Sequence, residues 1–521
     1  MTMRMKNNRL KKIFALLLSV LLLAVAFSVS AYDGVPETID IGLFYGSSAK
    51  AFCTVTSTGG IGIAVSNQTN LWPLTEDASV SNILVKKDDS YHAELTESFS
   101  DYESVWKKKT ELRAEGYPAF SAYRDGAFYV CVGAYPTAAE AQQTADALGA
   151  KVLSPHAKRT LIYCGDLIWM GVQDDSSHLT ICPTDGVLAL DGAQYRGNLK
   201  FMRLSTGDMT VVNSVGMDDY LCGVVPREVT ATWSYEAVKA QAIISRTFAL
   251  NNMNKFKSYG FHLDNTTNSQ AYAGVRIEHP ASNQAVRETH NQIVLYEGKP
   301  AQVYFFASSG GKTGTANDAW GGEDYPYLQS VEDPYENASQ ASYAHWTLSF
   351  TPEELKAKLA QKNVHIGDIT DVTVEYSESG RALKTVFHGT EGEKAYDRES
   401  IRWVIGAYST AFTVSRSGES AAGSLCALDA YNSFTQVAVS PQMQLLSSGG
   451  ISAASGRLCL LSSDGTKETE VAGGASGDFI FTGRGWGHGV GLSQWGAKGM
   501  AEAGFSCLEI IQHYFKGTEI G

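Results

Sequence analysis

GVVPREVTATWSYEAVKAQAIISRTFAL, residues 223–250, sets the carboxylate of Glu228 against a largely apolar background. Desolvation disfavours the charged form of a carboxyl and raises its pKa toward neutrality, the condition a general acid needs. Pro226 biases Val225 toward extended backbone, which places Glu228 in a turn before a long helix beginning near Ser234. A Glu just ahead of a helix also serves simply as a favourable charge at the positive end of the dipole. The helix, Tyr235 to about Asn254, is apolar around most of its circumference and therefore buried, yet Gln241, Ser245 and Arg246 interrupt it. Buried Gln and Arg must find partners. Either they bond carbonyls of adjoining loops and hold the fold, or Gln241 and Arg246 orient Glu228 and its segment.

Around that segment lies a chain of 521 residues that is 44% hydrophobic, enough for two to four domains. Arg4, Lys6, Arg9, Lys11 and Lys12 precede an apolar run, Ile13–Phe27, and then SVSA, so residues 1–31 read as a signal peptide, with an uncleaved anchor as the alternative. Losing those five positive charges takes the net charge from -13 to -18. That argues against nucleic acid and leaves the N-terminal segment as the only expected membrane contact. The 8 cysteines are scattered without a CxxC pair, and the 11 histidines contain neither HExxH nor His-x-His. No metal site and no cofactor are expected, and disulfide pairing stays open.

Residues 32–90 read as short alternating strands, TGGIGIAV the clearest of them. From Tyr91 to Val152 the pattern is helix, strand, helix: YESVWKKKTELRAEG, FYVCVGAY and TAAEAQQTADALGA, with Thr137 and Glu140 as a capping box. Further on, QVYFFAS predicts a strand running into ASSGGKTG, residues 307–314. Phe306 stands where a phosphate-binding loop requires glycine, and no Ser-x-Asn accompanies the KTG triplet, so neither a nucleotide site nor a serine acylase is supported. A Gly-rich turn would expose Ser308, Ser309, Gly310 and Thr313, with open N–H groups, to the hydroxyls and N-acetyl groups of a sugar chain. Residues 415–478, rich in Ser, Gly and Ala, read as an insertion. They precede GRGWGHGVGLSQWG, whose five glycines from Gly483 to Gly491 allow backbone to approach a ligand closely. His488, Ser493 and Gln494 supply polar contacts there, and Trp486 and Trp495 offer sugar platforms.

Six stretches then stand in one order: YRGNLKF from Tyr195, VVNSVGMDDYLCGVVPREV from Val211, KAQAIISRTFAL from Lys239, DNTTNSQAYAGV from Asp264, YFFASSGGKTGTANDAWGGEDYPYLQSV from Tyr304, and GRGWGHGVGLSQWGAKGMAEAG from Gly483. Over residues 190–521 the chain resembles the stage II sporulation protein D family (SpoIID/LytB). The resemblance implies a peptidoglycan lytic transglycosylase with Glu228 of the PxE motif as catalytic acid, and it adds Gln270 and Tyr272 to the substrate-binding residues. It also implies peptidoglycan glycan strands as ligand, a cell-wall amidase as a further partner, and an exported, wall-associated location. The alternative within the family is a non-catalytic, glycan-binding enhancer of an amidase. Some members carry a metal-type Cys pair beside the D-T-T motif; Asp264 and Ser269 stand there, leaving His262 alone. Residues 91–155 resemble the sporulation-related repeat (SPOR), a βαβ-type glycan-binding module. The expected fold is α+β and multidomain, a mixed-sheet catalytic core with a buried helix after the PxE motif, preceded by this module.

Overall fold

The computed structural model describes residues 32–66, 71–77, 79–173, 178–203, 207–336, 344–417 and 477–521, and, between 418 and 476, the backbone of six strands. The expected signal peptide, residues 1–31, lies outside the described residues. The fold is mixed α and β in two compact units, one comprising the chain up to Val303 together with Thr518–Gly521, the other Tyr304–Gly517.

The first unit contains two large sheets. A seven-stranded sheet runs in the order Leu263–Asp264, Thr38–Phe44, Thr210–Gly216, Asn198–Met202, His178–Pro183, Ile61–Ser66, Leu71–Asp77. The pairing of Ile41 with Leu263 is parallel; its other ladders are antiparallel. Strands of residues 32–90 thus share a sheet with strands beyond residue 190. TIDIGLF buries Ile39, Ile41 and Leu43 on one face, the period-two pattern of a strand with one side in a core.

Residues 91–153 run strand, helix, strand, strand, helix, strand: Tyr91–Phe99, Tyr102–Ala114, Ala119–Arg124, Ala127–Tyr135, Ala138–Leu148, Lys151–Leu153. Asp101 accepts from the Ser104 N–H at 2.8 Å and caps the first helix. Thr137 and Glu140 cap the second reciprocally, as the sequence predicts. These four strands form one end of a ten-stranded sheet, joined to its remainder by parallel pairing of Ala119–Arg124 with Leu167–Gln173. Ala93, Val105, Leu112, Val130 and Val132 belong to the same core cluster as Ile39 and Val211.

The Glu228 segment differs from the extended turn that its sequence predicts. Met217–Cys222 is helical, and Val225–Glu228 forms a further single helical turn before the helix Tyr235–Asn251. Pro226 sits in the first turn, where a helix leaves its N–H groups unused, so the proline is accommodated.

In the second unit Phe305–Phe306 pairs in parallel with Leu492–Ser493, a much shorter strand than QVYFFAS suggests, and from Ser308 the chain turns to pair with Trp486 instead. Phe479–Arg484 lies between His345–Phe350 and Phe412–Arg416 and buries Phe479 and Phe481 against Trp346, Phe387 and Phe412. Arg416 pairs with Phe479, so the insertion leaves and rejoins the sheet at adjacent strand ends. Its six strands form three antiparallel hairpins, and its side chains lie outside the described residues. Among the described residues no helix is long and apolar enough to cross a membrane.

Because Leu167–Gln173 depends on a partner within the 91–153 segment, deleting residues 91–152 should destabilise the first unit by about 3 kcal/mol or more, the scale of losing several buried side chains. Urea unfolding checks this, and an unchanged midpoint would show the segment to be autonomous.

Candidate active site

Gly223 has the Tyr272 ring against it, and a Cβ there would come within 2.5 Å of that ring. The missing side chain lets the loop 264–273 close on the Val225–Glu228 turn, with the Ala273 N–H donating to the Gly223 carbonyl at 3.3 Å. Next in the loop, the Ala271 N–H bonds the Glu228 carboxylate. Val224, Val225 and Val229 are buried around a half-buried Glu228. Burial pushes the Glu228 carboxyl up to about 7; the Ala271 N–H and the Arg227 charge pull the other way and lose. Arg227 is exposed, so water screens its charge.

Gln270 and Tyr272 flank Ala271 in the same loop and are anchored from below. Tyr220 donates its hydroxyl to Gln270 Oε1 at 3.1 Å, and Tyr272 donates to Asn213 Oδ1 at 2.8 Å. Asn213 in turn donates to the carbonyls of Arg196 and Asn198, at 2.8 and 3.1 Å, which fixes its amide orientation. Tyr220, Gln270 and Tyr272 are all buried, so burial holds Tyr220 and Tyr272 neutral. The neutral Tyr220 phenol, close enough to feel the Glu228 charge, therefore adds no charge of its own to the acid's surroundings.

The polar residues of the buried helix bond their own surroundings. Arg246 donates to the carbonyls of Thr289, Gln292 and Val286 at 2.7, 3.2 and 3.1 Å, and to Asp218 at 2.9 Å. Those bonds fasten the end of the helix Pro280–Glu288 and the chain after it, which is the fold-holding reading of Arg246. Gln241 donates to Ser245 within its own helix at 3.1 Å. In the D-T-T loop, Asp264 accepts from Tyr45 at 3.2 Å and from Thr266, Ser269 Oγ accepts from the Asp264 N–H at 3.3 Å, and His262 Nδ1 accepts from the Asp40 N–H at 2.9 Å.

The second unit brings Ser308, Ser309, Gly310, Thr313, His488, Ser493 and Gln494 together, but with their polar groups turned inward. Ser308 and Trp486 exchange backbone bonds at 3.0 and 2.8 Å, and the Gly314 N–H donates to the Gly489 carbonyl at 2.7 Å. The Gly310 N–H goes to Glu336 at 2.7 Å, the Gly311 N–H to Ser309 Oγ at 3.0 Å, and Thr313 pairs with Val331. The N–H groups of Ser308, Gly310, Gly311, Thr313 and Gly314 are thus satisfied within the protein, as buried backbone requires. Ser308, Ser309, Thr313 and Ser493 are buried; Ser493 caps the helix Gln494–Glu502 by accepting from the Gly496 N–H at 3.2 Å. Nδ1 of His488 accepts from the Val490 N–H at 3.1 Å, and a bond to the Phe305 backbone engages the ring again. Packed against Trp320 and Phe306, it is pushed down to about 3 by burial and by Arg402 and Arg381, which favours the neutral ring.

Three residues that the motifs do not announce complete this unit's site. Ser309 Oγ lies 2.9 Å from Asp333 and 3.1 Å from Glu336, and burial, with Glu336 beside it, pushes the Asp333 carboxyl up to about 6. Arg381 is fully buried, and a Cβ on Gly489 would stand 2.1 Å from its Cζ, so the glycine, with φ at +82°, leaves room for the guanidinium that bonds the Lys312 carbonyl at 3.1 Å. Trp320 is 46% exposed beside His488, and Trp486 40%, whereas Trp495 is only half-buried, with its backbone bonded to Ala307. Only a folded view finds Asp333 and Arg381, because each is isolated in sequence among residues of no distinctive pattern.

A family model described as SpoIID, stage II sporulation protein, matches residues 205–296, the segment that holds Glu228, the buried helix and the D-T-T loop. An uncharacterized protein of Brachyspira hyodysenteriae is 30% identical over 342 residues, covering 65% of this chain and 75% of its own length. Stage II sporulation protein D of Bacillus subtilis is 27% identical over 327 residues, 59% of this chain and 75% of its own. The chain belongs to the SpoIID family. Another similar protein is the amidase enhancer of Bacillus subtilis, 27% identical over 352 residues, with 65% of this SpoIID-family chain aligned to 45% of the relative's length.

Two outcomes are expected of this SpoIID-family site. Arg246→Ala strands three buried carbonyls and leaves Asp218 only its bond to His290, and should cost about 3 kcal/mol, seen in thermal or urea unfolding. Glu228→Gln should behave oppositely and stabilise. The folded pKa lies above the unfolded value near 4.5, so wild-type stability is full below that pH and declines as pH rises through about 7. The variant should therefore gain up to about 3 kcal/mol over wild type at pH 8 and little at pH 4. A pH-independent difference in melting temperature would contradict a buried, neutral Glu228.

Proposed function

We propose that the protein is a peptidoglycan lytic transglycosylase with Glu228 as its acid, acting outside the cell in cell-wall remodelling linked to sporulation. The observation that carries this reading is the Glu228 carboxyl, pushed up to about 7 by burial and held by one backbone N–H. Near neutral pH such a group is protonated part of the time and, once ionised, is basic enough to recover a proton. It would protonate the oxygen joining N-acetylmuramic acid to N-acetylglucosamine while the substrate's own N-acetyl carbonyl stabilises the anomeric carbon. The resulting carboxylate would then take the proton of the C6 hydroxyl as that oxygen closes a 1,6-anhydro ring. No water, metal or protein nucleophile is consumed, and a second carboxylate of the kind that hydrolysing glycosidases use is not required.

In this reading the second unit contributes glycan contacts through the exposed rings of Trp320 and Trp486 rather than through the inward-turned hydroxyls. Residues 91–155 are proposed as a SPOR-like glycan-holding element, a role supported by their strand, helix, strand, strand, helix, strand path. A second reading, a non-catalytic enhancer that holds glycan for a cell-wall amidase, is favoured by the relative named amidase enhancer.

Incubation with glycan strands stripped of stem peptides, followed by mass spectrometry, separates the two. Wild type should release products ending in 1,6-anhydro-muramic acid, and Glu228→Gln should release them at least about 100-fold more slowly while staying folded. Cleavage by the variant at a near wild-type rate, or ordinary reducing ends from wild type, would overturn the catalytic reading. Glycan binding without cleavage, together with stimulation of an added amidase, would establish the enhancer.

A further inference from the structure

In the second unit the strand Phe479–Arg484 sends Phe479 and Phe481 into the core and turns Thr482 and Arg484 outward. Register places His345 opposite Arg484 on one side, and Thr413 opposite Thr482 on the other. Tyr376, 43% exposed, stands above this face at the start of the turn that reaches Gly380, where the Arg484 guanidinium comes within 3.8 Å of the position a Cβ would occupy. His345, Tyr376, Phe412, Thr413, Thr482 and Arg484 wall an open cavity of about 430 Å³, within the range of small-molecule sites.

The cavity carries one guanidinium, that of Arg484. Among the described residues no carboxylate is paired with Arg484, although the whole chain carries a net charge of -13. The buried Arg381 lies close enough to Arg484 for the two cations to repel, and Asp318 and Glu399 face Arg381. A free guanidinium fork is suited to a carboxylate, which it can grip through two parallel bonds. Beside it, the exposed ring of Tyr376 offers an apolar wall, and the hydroxyls of Thr413 and Thr482 can bond neutral polar groups.

The geometry points to a binding pocket for a carboxylate-bearing amino sugar, with Arg484 on the carboxylate and Tyr376 against the ring. The choice of an amino sugar rests on the glycan reading of the protein; the carboxylate rests on Arg484 alone.

The test is calorimetric titration of the full-length protein with three probes: N-acetylmuramic acid, N-acetylglucosamine, which has the same ring without the lactyl carboxylate, and alanyl-glutamate, which has carboxylates without a ring. Free monosaccharides contain no glycosidic bond to cleave, so binding is read without turnover, and its failure is distinguishable from a failure of the Glu228 reading. N-acetylmuramic acid should bind at least about 10-fold more tightly than either other probe, on the scale of a charge-assisted hydrogen bond. Arg484→Gln should erase its advantage over N-acetylglucosamine, Arg484→Lys should keep part of it, and Tyr376→Ala should weaken both sugars. Equal affinity for the two sugars, survival of the preference in Arg484→Gln, or equally tight binding of alanyl-glutamate would each overturn the proposal. Arg484 is exposed, so circular dichroism should find its variants folded.

Discussion

The contact between Gly223 and the ring of Tyr272 sets how closely the 264–273 loop can approach the turn that ends in Glu228. That distance decides the chemistry. With the loop in place, the acid loses water on most sides and receives one N–H, from Ala271, too little to repay its desolvation. A larger residue at 223 would lift the loop, readmit water and return the carboxyl toward its ordinary, ionised state. Fold stability and acid strength are therefore coupled through one side chain that is absent.

Two buried guanidiniums do comparable work in the two units without taking part in proton transfer. Arg246 gathers three carbonyls and Asp218, converting the end of one helix into a fixed support. Arg381 occupies the space that Gly489 leaves open and bonds the loop carrying the SSGG sequence. Arginine suits both places, because its planar donors can satisfy several carbonyls at once while its charge survives burial. The glycines of the GHG loop serve this internal packing, since a Cβ at Gly485, Gly487, Gly489 or Gly491 would meet protein atoms closely.

Much of the first unit was legible because its signals are local or periodic. The apolar helix, the capping box at Thr137 and the isolation of Glu228 each follow from spacing along the chain. The helical turn at Val225–Glu228 was not, since proline reads equally well as a breaker and as a first-turn residue until the neighbouring helix is seen. Nor was the inward turn of Ser309 and Gly310 legible: their partners, Asp333 and Glu336, lie more than twenty residues on, where sequence shows two ordinary acids. His488 reads in sequence as a polar contact for a ligand, and the packing of its ring against Trp320 and Phe306 is visible only in the fold.

The most direct measurement is a carbon NMR titration of the Glu228 side-chain carboxyl in the intact protein, with Glu228→Gln used to assign the resonance. The account predicts a midpoint near 7, set by burial. A midpoint near the ordinary glutamate value of about 4.3 would contradict it, and would leave the segment 223–250 with a structural role only.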